Sequence, residues 1–362
     1  MLIIKEVKRY DITNIKNKNC TYNLIHGKRS NGKSYQVKDM VLDNYLKNGK
    51  RFIYLRRTAN EIKRDLVTTY FNDFDIKKLT DGKYNCITAY ANKFYLANID
   101  DNFKIRRGDY IGYIWTLIHE ENYKSGSYLD VDNIIFEEFI TKRLYLTNEA
   151  QKLESVYSTV DRGRQEVKVW LIGNTMTQYN PYLDGWKIRK DFLSLKQGEI
   201  KTKKIKVGTD RQGIPQYKSI AMEYCSSDAG AFQGAISSNM IDSGDYEVDI
   251  QPLLPYNYKD CKLIFRFVFV FKNEMFICEY LNFENDYFFF IYPKYSEIQE
   301  NTIVIGDIIN PSIYYQGNIY NFESKNKRVN EILASFRESN TFYCSHLCGT
   351  TFKQLINFTI KP

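Results

Sequence analysis

The sequence has few of the features that mark membrane, secreted or histidine-dependent proteins. Its 362 residues include three histidines and seven cysteines, and an odd number of scattered cysteines gives no disulfide framework for a chain of this length. The most apolar run, residues 263–271, is interrupted by Arg266 and is much shorter than the roughly 20 residues of a membrane span. The N-terminus becomes charged at Lys5 and Glu6, so it lacks the apolar region of a signal peptide. We therefore expect a cytoplasmic protein without disulfides or a membrane span.

Internal repeats and low-complexity tracts are also absent from the sequence, which argues against solenoids and propellers. Hydrophobic residues make up 43% and charged residues 26% of the chain, a composition typical of folded globular proteins. At roughly 150 residues per domain, the length indicates two or three domains. The net charge is +8, and residues 186–218 alone hold ten basic and three acidic residues. Most of the positive charge therefore lies in one segment, which favours an anionic partner there.

Strand and helix patterns alternate in the first half of the chain. The predicted strands are residues 21–26, 51–55, 133–137 and 167–172, and the predicted helices are residues 33–48, 59–69 and 148–160. This alternation predicts an α/β fold in which helices cover a mostly parallel sheet. Residues 84–90 and 93–97 predict a hairpin inserted into that sheet.

The second half of the chain contains two further sequence patterns, separated by a linker. Alternating apolar residues and lysines, followed by a glycine-containing turn, predict a basic β-hairpin that ends near residue 222. Residues 226–244 are rich in glycine, serine and aspartate and predict a loop or linker. An aromatic meander over residues 263–271, 275–281 and 287–292, followed by a helix at 327–337, predicts a small α+β domain. The expected boundaries are 1–185, 186–250 for a basic linker domain, and 251–362.

The strongest local motif is residues 27–34, which have the G-x-x-x-x-G-K-[ST] spacing of a P-loop. In such a loop backbone N–H groups surround the phosphates, Lys33 reaches the β and γ phosphates, and the Ser34 hydroxyl holds Mg²⁺. The loop follows an apolar strand and opens a predicted helix, which favours this reading over a glycine-rich surface turn. The predicted nucleotide-binding residues are Gly27, Lys28, Arg29, Ser30, Asn31, Gly32, Lys33, Ser34 and, after a later strand, Asn174.

Two carboxylates, Glu137 and Glu138, follow the apolar strand 133–137. At the carboxyl end of a parallel strand such side chains emerge where open α/β sheets bind ligands. One could lie near a metal ion and the other could polarise an attacking water. A solvated acidic strand end is the alternative interpretation, and the P-loop makes the catalytic one stronger.

Phosphoryl transfer also needs positive charge against the developing oxygens. The candidates are Arg29 in the P-loop, and Arg162 and Arg164 in a turn between a helix and the strand that precedes Asn174. For Arg164 a surface salt bridge is an equally good interpretation. Arg56 and Arg57, at the end of another predicted strand, have either a functional or a structural role.

In combination these residues resemble the DNA-packaging (encapsidation) ATPases of phi29-like phages, which are relatives of the large terminases. The motifs occur in the family's order and at nearly its spacing over about the first half of the chain. They are the segments 26–35, 52–57, 124–128, 135–140 and 162–164, followed by Asn174 and residues 180–182.

The resemblance implies an ASCE-type P-loop NTPase with ATP and Mg²⁺, in which Glu138 is the catalytic glutamate and Lys33 and Ser34 bind phosphates and metal. Arg29 would be the P-loop arginine, and Arg162 a finger that reaches the neighbouring subunit's nucleotide. Lys124 would lie on a loop facing the neighbour and the channel. Glu137 stands where the family usually has aspartate, which favours metal contact through water.

The resemblance further implies that the C-terminal domain is RNase H-like and has lost its nuclease activity. Its first strand contains neither Asp nor Glu, so we expect no cleavage. The implied function is ATP-driven translocation of double-stranded DNA through the portal of a preformed capsid. The implied assembly is a homo-oligomeric ring, a pentamer by resemblance, in the host cytoplasm and transiently at the portal vertex, with a packaging RNA as a further partner.

The basic segment would suit contact with DNA phosphates or docking on the portal, and neighbouring subunits are a third possible partner. The residues predicted for these contacts are Lys124, Arg164, Lys201, Lys203, Lys204 and Lys206. Two other functions stay open from the sequence. One is a P-loop kinase, and the other is a DNA-binding or scaffold protein that binds nucleotide without hydrolysing it.

Overall fold

A computed structural model describes residues 10–27, 31–141, 145–146, 148–174, 180–209, 213–225, 251–271, 274–299, 301–306, 315–316 and 327–359. These residues divide into two compact units. The first contains the described residues from 10 to 225 apart from 145–146, and the second contains 145–146 and the described residues from 251 onwards.

A large mixed sheet forms the centre of the first unit. Its strands are β1 (Tyr22–Gly27), β2 (Arg51–Arg56), β3 (Cys86–Tyr90), β4 (Lys93–Ile99), β5 (Ile105–Thr116), β6 (Val131–Glu137), β7 (Lys168–Asn174), β8 (Ile200–Thr209) and β9 (Pro215–Tyr224). The order across the sheet is β3-β4-β5-β2-β6-β7-β1-β9-β8. Strands β5, β2, β6, β7, β1 and β9 pair in parallel, and antiparallel strands close both edges.

Helices cover this sheet, as the alternating pattern predicts. They are α1 (Thr13–Lys16), α2 (Lys33–Asn48), α3 (Arg64–Thr68), α4 (Ile76–Leu79), α5 (Glu149–Asp161), α6 (Pro181–Gly185) and α7 (Arg189–Leu193), with 3₁₀ turns at Ala59–Glu61 and Leu117–Tyr123. Helix α2 has the predicted bounds and ends at Gly49, whose φ of +67° lies in the left-handed region that glycine adopts readily. Its buried Val37 and Val41 pack with Ile25, Phe52 and Trp170.

The basic hairpin forms as predicted, but it differs from the separate linker domain expected at residues 186–250. Strand β9 pairs in parallel with β1, with Tyr22 opposite Ile220, so the hairpin extends the large sheet. The physical reason is the apolar segment Ile220–Met222, which is fully buried and gains this burial by continuing the sheet. The loop predicted at residues 226–244 lies outside the described residues.

A second sheet, with strand order β14-β13-β10-β11-β12-β15, forms the other unit. Its strands are β10 (Lys262–Phe271), β11 (Glu274–Phe283), β12 (Asp286–Pro293), β13 (Val304–Gly306), β14 (Tyr315–Gln316) and β15 (Asn340–Tyr343). Helices α8 (Lys327–Glu338) and α9 (His346–Thr359) pack on one face, where phenylalanines from the strands meet Phe336 and Phe352. The predicted meander and helix 327–337 are confirmed, and with them the α+β class.

Within this second sheet β10, β11 and β12 are antiparallel, whereas β13 is parallel to β10 and β14 is parallel to β13. Arg266 of β10 lies opposite Glu279 of β11, and the two side chains form an ion pair. Strand β10 itself contains neither Asp nor Glu. In the part of the chain that the structure describes, no helix is long and apolar enough to cross a bilayer.

Candidate active site

The P-loop lies at the carboxyl end of β1, as predicted. Gly32 has a φ of +97°, a left-handed conformation that costs glycine little, and it turns the chain into α2, which begins at Lys33. The first N–H groups of this helix therefore face the loop, which is the arrangement that binds phosphate at a helix N-terminus. Gly27 and Asn31 lie in the described part of the loop. The roles predicted for Lys28, Arg29 and Ser30 fall on residues outside it.

The Lys33 ammonium is buried at the centre of the site, with 5% of the residue exposed. Its Nζ donates to Oδ1 of Asn174 at 2.8 Å, and to the Gly27 carbonyl and Asn31 Oδ1 at 3.4 Å each. These three acceptors are neutral oxygens. They orient the ammonium within the P-loop. Asn174, on β7, is thereby joined to the P-loop.

A neutral histidine lies beneath the loop. His26 is fully buried on β1, between the rings of Phe192 and Tyr224 at centroid distances of 4.2 and 4.7 Å. Burial and the nearby Lys33 charge lower the pKa of His26 to about 3. The imidazole is therefore uncharged at neutral pH and adds no second cation behind Lys33.

Glu137 ends β6 with its carboxylate enclosed, at 14% side-chain exposure. Burial raises its pKa above the usual glutamate value, while Arg56, a hydrogen bond from Ser34 and the Lys38 charge act in the opposite direction. Tyr70 donates a further hydrogen bond at 3.3 Å. A hydroxyl beside a carboxylate is the donor set that Mg²⁺ takes next to nucleotide phosphates. Ser34 and Glu137 therefore fit the predicted metal site.

Glu138 has a different environment although it is the next residue. Its φ of +58° breaks the strand alternation, and its side chain is 54% exposed. Its Oε2 accepts a hydrogen bond from Nη2 of Arg56 at 2.8 Å, and Nη1 of Arg56 lies 3.8 Å from Glu137. Arg56 thus bridges both carboxylates. The sequence left open whether Arg56 has a functional or a structural role, and the structure places it against the two candidate site glutamates.

Arg57 connects the site to α5. Its Nε and Nη2 each donate at 2.8 Å to the carboxylate of Glu149, which has no exposed surface, and its other contacts include the carbonyls of Glu138 and Phe139. The hydroxyl of Tyr182 donates to the same carboxylate at 2.8 Å. Sequence reasoning missed Glu149 and Tyr70 because each lies in a segment without a motif. The neighbouring sequence is polar and gives no signal that Glu149 is buried.

The arginine turn follows α5 and lies against the loop that contains Lys124. Arg162 is exposed, has a φ of +46°, and donates from Nη2 to the Gly126 carbonyl at 2.5 Å. Lys124 is exposed and pairs with Glu121 at 2.5 Å. Arg164 instead donates to five backbone carbonyls, those of Tyr128, Leu129, Val131, Val160 and Asp161. The arrangement leaves Arg162 at the surface and ties Arg164 into the fold.

The four lysines predicted on the basic hairpin lie on β8, the edge strand. Lys203 pairs with Asp191 at 2.7 Å, and Lys201 lies 3.5 Å from Glu199. Lys204 and Lys206 are exposed, and no acidic partner accompanies them within the described part of the chain. Two of the four therefore keep a free charge for an external anion.

Comparison with known proteins finds similarity to phage DNA packaging proteins. Residues 5–193 match the family described as Podovirus DNA encapsidation protein (Gp16). The DNA packaging protein of Bacillus phage phi29 is 30% identical over 163 residues, which are 44% of this chain and 44% of that protein. The DNA packaging protein of Bacillus phage B103 is 30% identical over 172 residues, 44% of this chain and 46% of that protein. The matched region thus spans less than half the length of these curated relatives.

A solved structure described as the bacteriophage Phi-29 viral genome packaging motor assembly contains a chain of similar fold. The similarity covers 97% of this chain and 99% of that chain, with a TM-score of 0.52 at 19% identity. At this identity the similarity concerns the fold alone. The family match, in contrast, covers more than half of the present sequence and includes the P-loop, both glutamates and the arginine turn. The chain belongs to the Podovirus DNA encapsidation protein (Gp16) family.

Proposed function

We propose that this protein is an ATPase that translocates double-stranded DNA into a preformed phage capsid through the portal. The observation that carries the proposal is the meeting of Lys33, Ser34, Glu137, Glu138 and Asn174 at the carboxyl edge of the large sheet. Family membership supports the same activity. In this proposal the first unit is the motor domain, and the second is a nuclease-like domain without cleavage activity.

The proposed chemistry assigns a distinct role to each side chain. Lys33 and the N-terminus of α2 bind the β and γ phosphates, and Ser34 and Glu137 hold Mg²⁺, which neutralises phosphate charge when bound. Glu138 polarises the attacking water, since its carboxylate is solvent-accessible and one of its oxygens is free of the Arg56 contact. Asn174 holds Lys33 in position.

The proposed assembly is a homo-oligomeric ring in the host cytoplasm that binds the portal vertex. Arg162 would stabilise the transition state at a neighbour's nucleotide, because its exposed guanidinium lies on the turn after α5 rather than beside its own P-loop. Lys204 and Lys206 would contact DNA phosphates. Subunit number and a packaging RNA are expectations from the resemblance to phi29-like packaging ATPases.

The test is Glu138→Gln, which keeps the size and the Arg56 hydrogen bond of Glu138 but removes its charge. We expect ATP binding to persist while hydrolysis, with or without DNA, falls at least 10²-fold. In the unmodified protein DNA should stimulate hydrolysis, and salt should weaken that stimulation because phosphate contacts release counterions.

Hydrolysis at the unmodified rate in the Glu138→Gln variant would remove Glu138 from the mechanism. Absence of turnover in the unmodified protein, with nucleotide still bound, would favour the scaffold alternative. A phosphorylated small-molecule product would favour the kinase.

A further inference from the structure

One face of the sheet edge formed by β3, β4 and β5 combines tyrosines with cations, away from the basic hairpin. We call this surface the tyrosine–cation face, and it consists of Arg51, Tyr90, Lys93, Tyr95, Arg107, Tyr110 and Tyr113. Tyr90, Lys93 and Tyr113 lie directly opposite one another on the three strands, and Tyr95 lies opposite Tyr110 in the next row. At about 4.8 Å between strands, the first row is roughly 10 Å wide.

The cations of this face lie over rings. The Arg51 guanidinium is 3.8 Å from the centroid of Tyr110, and the Lys93 ammonium is 4.4 Å from the same centroid. The Arg107 guanidinium is 4.2 Å from the centroid of Tyr90, a residue that is 58% exposed. Arg51 also pairs with Asp130. For Lys93 and Arg107 the described residues provide no carboxylate partner.

Whether a cation is held by a carboxylate or by a ring decides what the face can bind. A carboxylate that holds a lysine or arginine also neutralises it, whereas a tyrosine ring restricts the side chain and leaves its full charge available. Lys93 and Arg107 are thus held in place without being neutralised by these rings. Binding an external anion therefore costs less side-chain conformational entropy. Two such cations on different strands suit a ligand with several negative groups rather than a single small anion.

The hairpin that supports the face is well fixed. Ala91 and Asn92 both have positive φ, +45° and +59°, as the tight turn between two antiparallel strands requires. On the opposite side of β4, Phe94 and Leu96 are buried in the core. The face therefore has a rigid base.

The aromatic surface continues beyond the strands. Tyr113 contacts Tyr128 at 5.6 Å between centroids, Tyr128 contacts Trp115 at 4.8 Å, and Trp115 stacks on Tyr123 at 4.0 Å. Tyr123 directly precedes Lys124. The face is thus continuous with the loop to which Arg162 bonds.

We propose that the tyrosine–cation face binds the phosphodiester backbone of a nucleic acid, as a contact surface separate from the basic hairpin. Aromatic rings interleaved with fixed cations are the chemistry by which proteins contact nucleic-acid backbones and bases without reading sequence. The inference rests on the proposed function, in which the protein works on DNA. Double-stranded DNA and structured RNA offer the same backbone chemistry, and the experiment separates them.

The test measures binding of a fluorescent 30-base-pair DNA duplex and of an RNA duplex of the same sequence, without nucleotide, over a range of salt concentrations. We expect the double variant Lys93→Gln/Arg107→Gln to bind about tenfold more weakly, and its slope of log affinity against log salt to fall by roughly 2. The matched control is Lys77→Gln/Lys78→Gln, which removes two exposed charges from α4, whose Ile76 packs in the core beneath the sheet.

A second pair of variants separates ring placement from charge. Tyr110→Leu keeps every charge but removes the ring that holds Lys93 and Arg51, so binding should weaken, whereas Tyr110→Phe keeps the ring and should bind as the unmodified protein does. A loss confined to the DNA or to the RNA duplex identifies the ligand of the face.

Equal affinity and slope in the double variant and its control would overturn the proposal, as would a loss of protein self-association without a change in nucleic-acid binding. If the unmodified protein hydrolyses ATP and binds nucleic acid while these variants behave normally, only this inference fails. If the unmodified protein binds no nucleic acid, the proposed function fails as well.

Discussion

Two neighbouring glutamates show how much the surroundings of a residue decide its chemistry. Glu137 continues the alternation of β6 and is enclosed with Ser34 and Tyr70, whereas the positive φ of Glu138 turns its carboxylate toward solvent and Arg56. Burial raises the pKa of Glu137, whereas Arg56, the hydrogen bond from Ser34 and the Lys38 charge act in the opposite direction. In the proposed function the same residue type would therefore serve two tasks at one strand end.

At the same scale, the Arg57–Glu149 pair should be critical for stability. Both groups are buried and joined by two hydrogen bonds of 2.8 Å, so Arg57→Ala leaves the Glu149 carboxylate in the core without this guanidinium. We expect the free energy of unfolding to fall by about 3–5 kcal/mol, measured by urea denaturation. In the double variant Arg57→Ala/Glu149→Gln the buried charge is gone, and part of the loss should be recovered. A double variant no more stable than Arg57→Ala would contradict this account.

Glu223 should make stability depend on pH. Burial raises its pKa to about 7, and the hydrogen bond from Tyr10 at 2.6 Å, which acts in the opposite direction, only partly offsets this. Because the unfolded carboxyl titrates near 4.5, the folded state binds the proton more tightly. The resulting stability is complete below pH 4.5 and is lost as pH rises through 7.

The measurement is the difference in unfolding free energy between the unmodified protein and Glu223→Gln from pH 5 to pH 8. The unmodified protein should lose up to about 3 kcal/mol relative to the variant over this range. His26 acts in the opposite sense, since a pKa lowered to about 3 gives stability that is lost as pH falls below 6.5. It is present in both proteins, so the difference isolates Glu223. A constant difference would mean that Glu223 does not titrate in this range.

At the scale of elements, the sequence predicted most of what places the site. Helix α2 has the predicted bounds, and β1, β2, β6 and β7 lie within two residues of prediction at each end, because each strand is a short apolar run beside a turn or motif. Strand β5 was missed since its first half, Ile105–Asp109, is exposed, which leaves no alternation to detect. The parallel pairing of β9 with β1 was also missed, because pairing between distant strands leaves no local signal.

Some residues of the candidate site could be identified from the sequence, and others only from the fold. The P-loop, both glutamates and Asn174 were identified from local motifs and strand ends, and in the structure Asn174 lies beside Lys33. Arg56 and Glu138 were each noticed, but their contact was not predicted because they lie 82 positions apart in the sequence. Glu149 and Tyr70 are polar groups whose importance depends on which distant residues bury them. Motif spacing therefore proposes the candidate reacting groups, and only the fold reveals the residues that contact them.

The arginine turn after α5 gives a prediction at this scale. Arg164 donates to five carbonyls and joins the end of α5 to residues 128–131, whereas Arg162 makes one exposed hydrogen bond, to Gly126. Arg164→Ala should therefore lower the free energy of unfolding by about 2 kcal/mol, and Arg162→Ala by less than about 0.5 kcal/mol. Urea denaturation measures both, and hydrogen exchange should show faster exchange at residues 128–131 only in the first variant. Equal destabilisation by the two changes would contradict the structural role of Arg164.

For the whole molecule, the question is whether one chain is sufficient for hydrolysis. Arg162 is exposed and bonded to the loop beside Lys124, and the turn that contains it follows α5 rather than the P-loop. If it acts on a neighbour, Arg162→Ala subunits should be inactive alone but regain hydrolysis when mixed with Lys33→Ala subunits, which still supply the arginine. The regained rate should rise and then fall with the mixing ratio, because only mixed neighbours form a complete site.

The matched control replaces the partner with the double variant Lys33→Ala/Arg162→Ala, which has the same defect in nucleotide binding but lacks the arginine. No ratio of this mixture should hydrolyse ATP. Equal recovery with both partners would show that Arg162 does not act across a subunit boundary. Recovery with Lys33→Ala alone requires that two chains share one active site, and it would make the assembled ring, rather than the single chain, the catalytic unit.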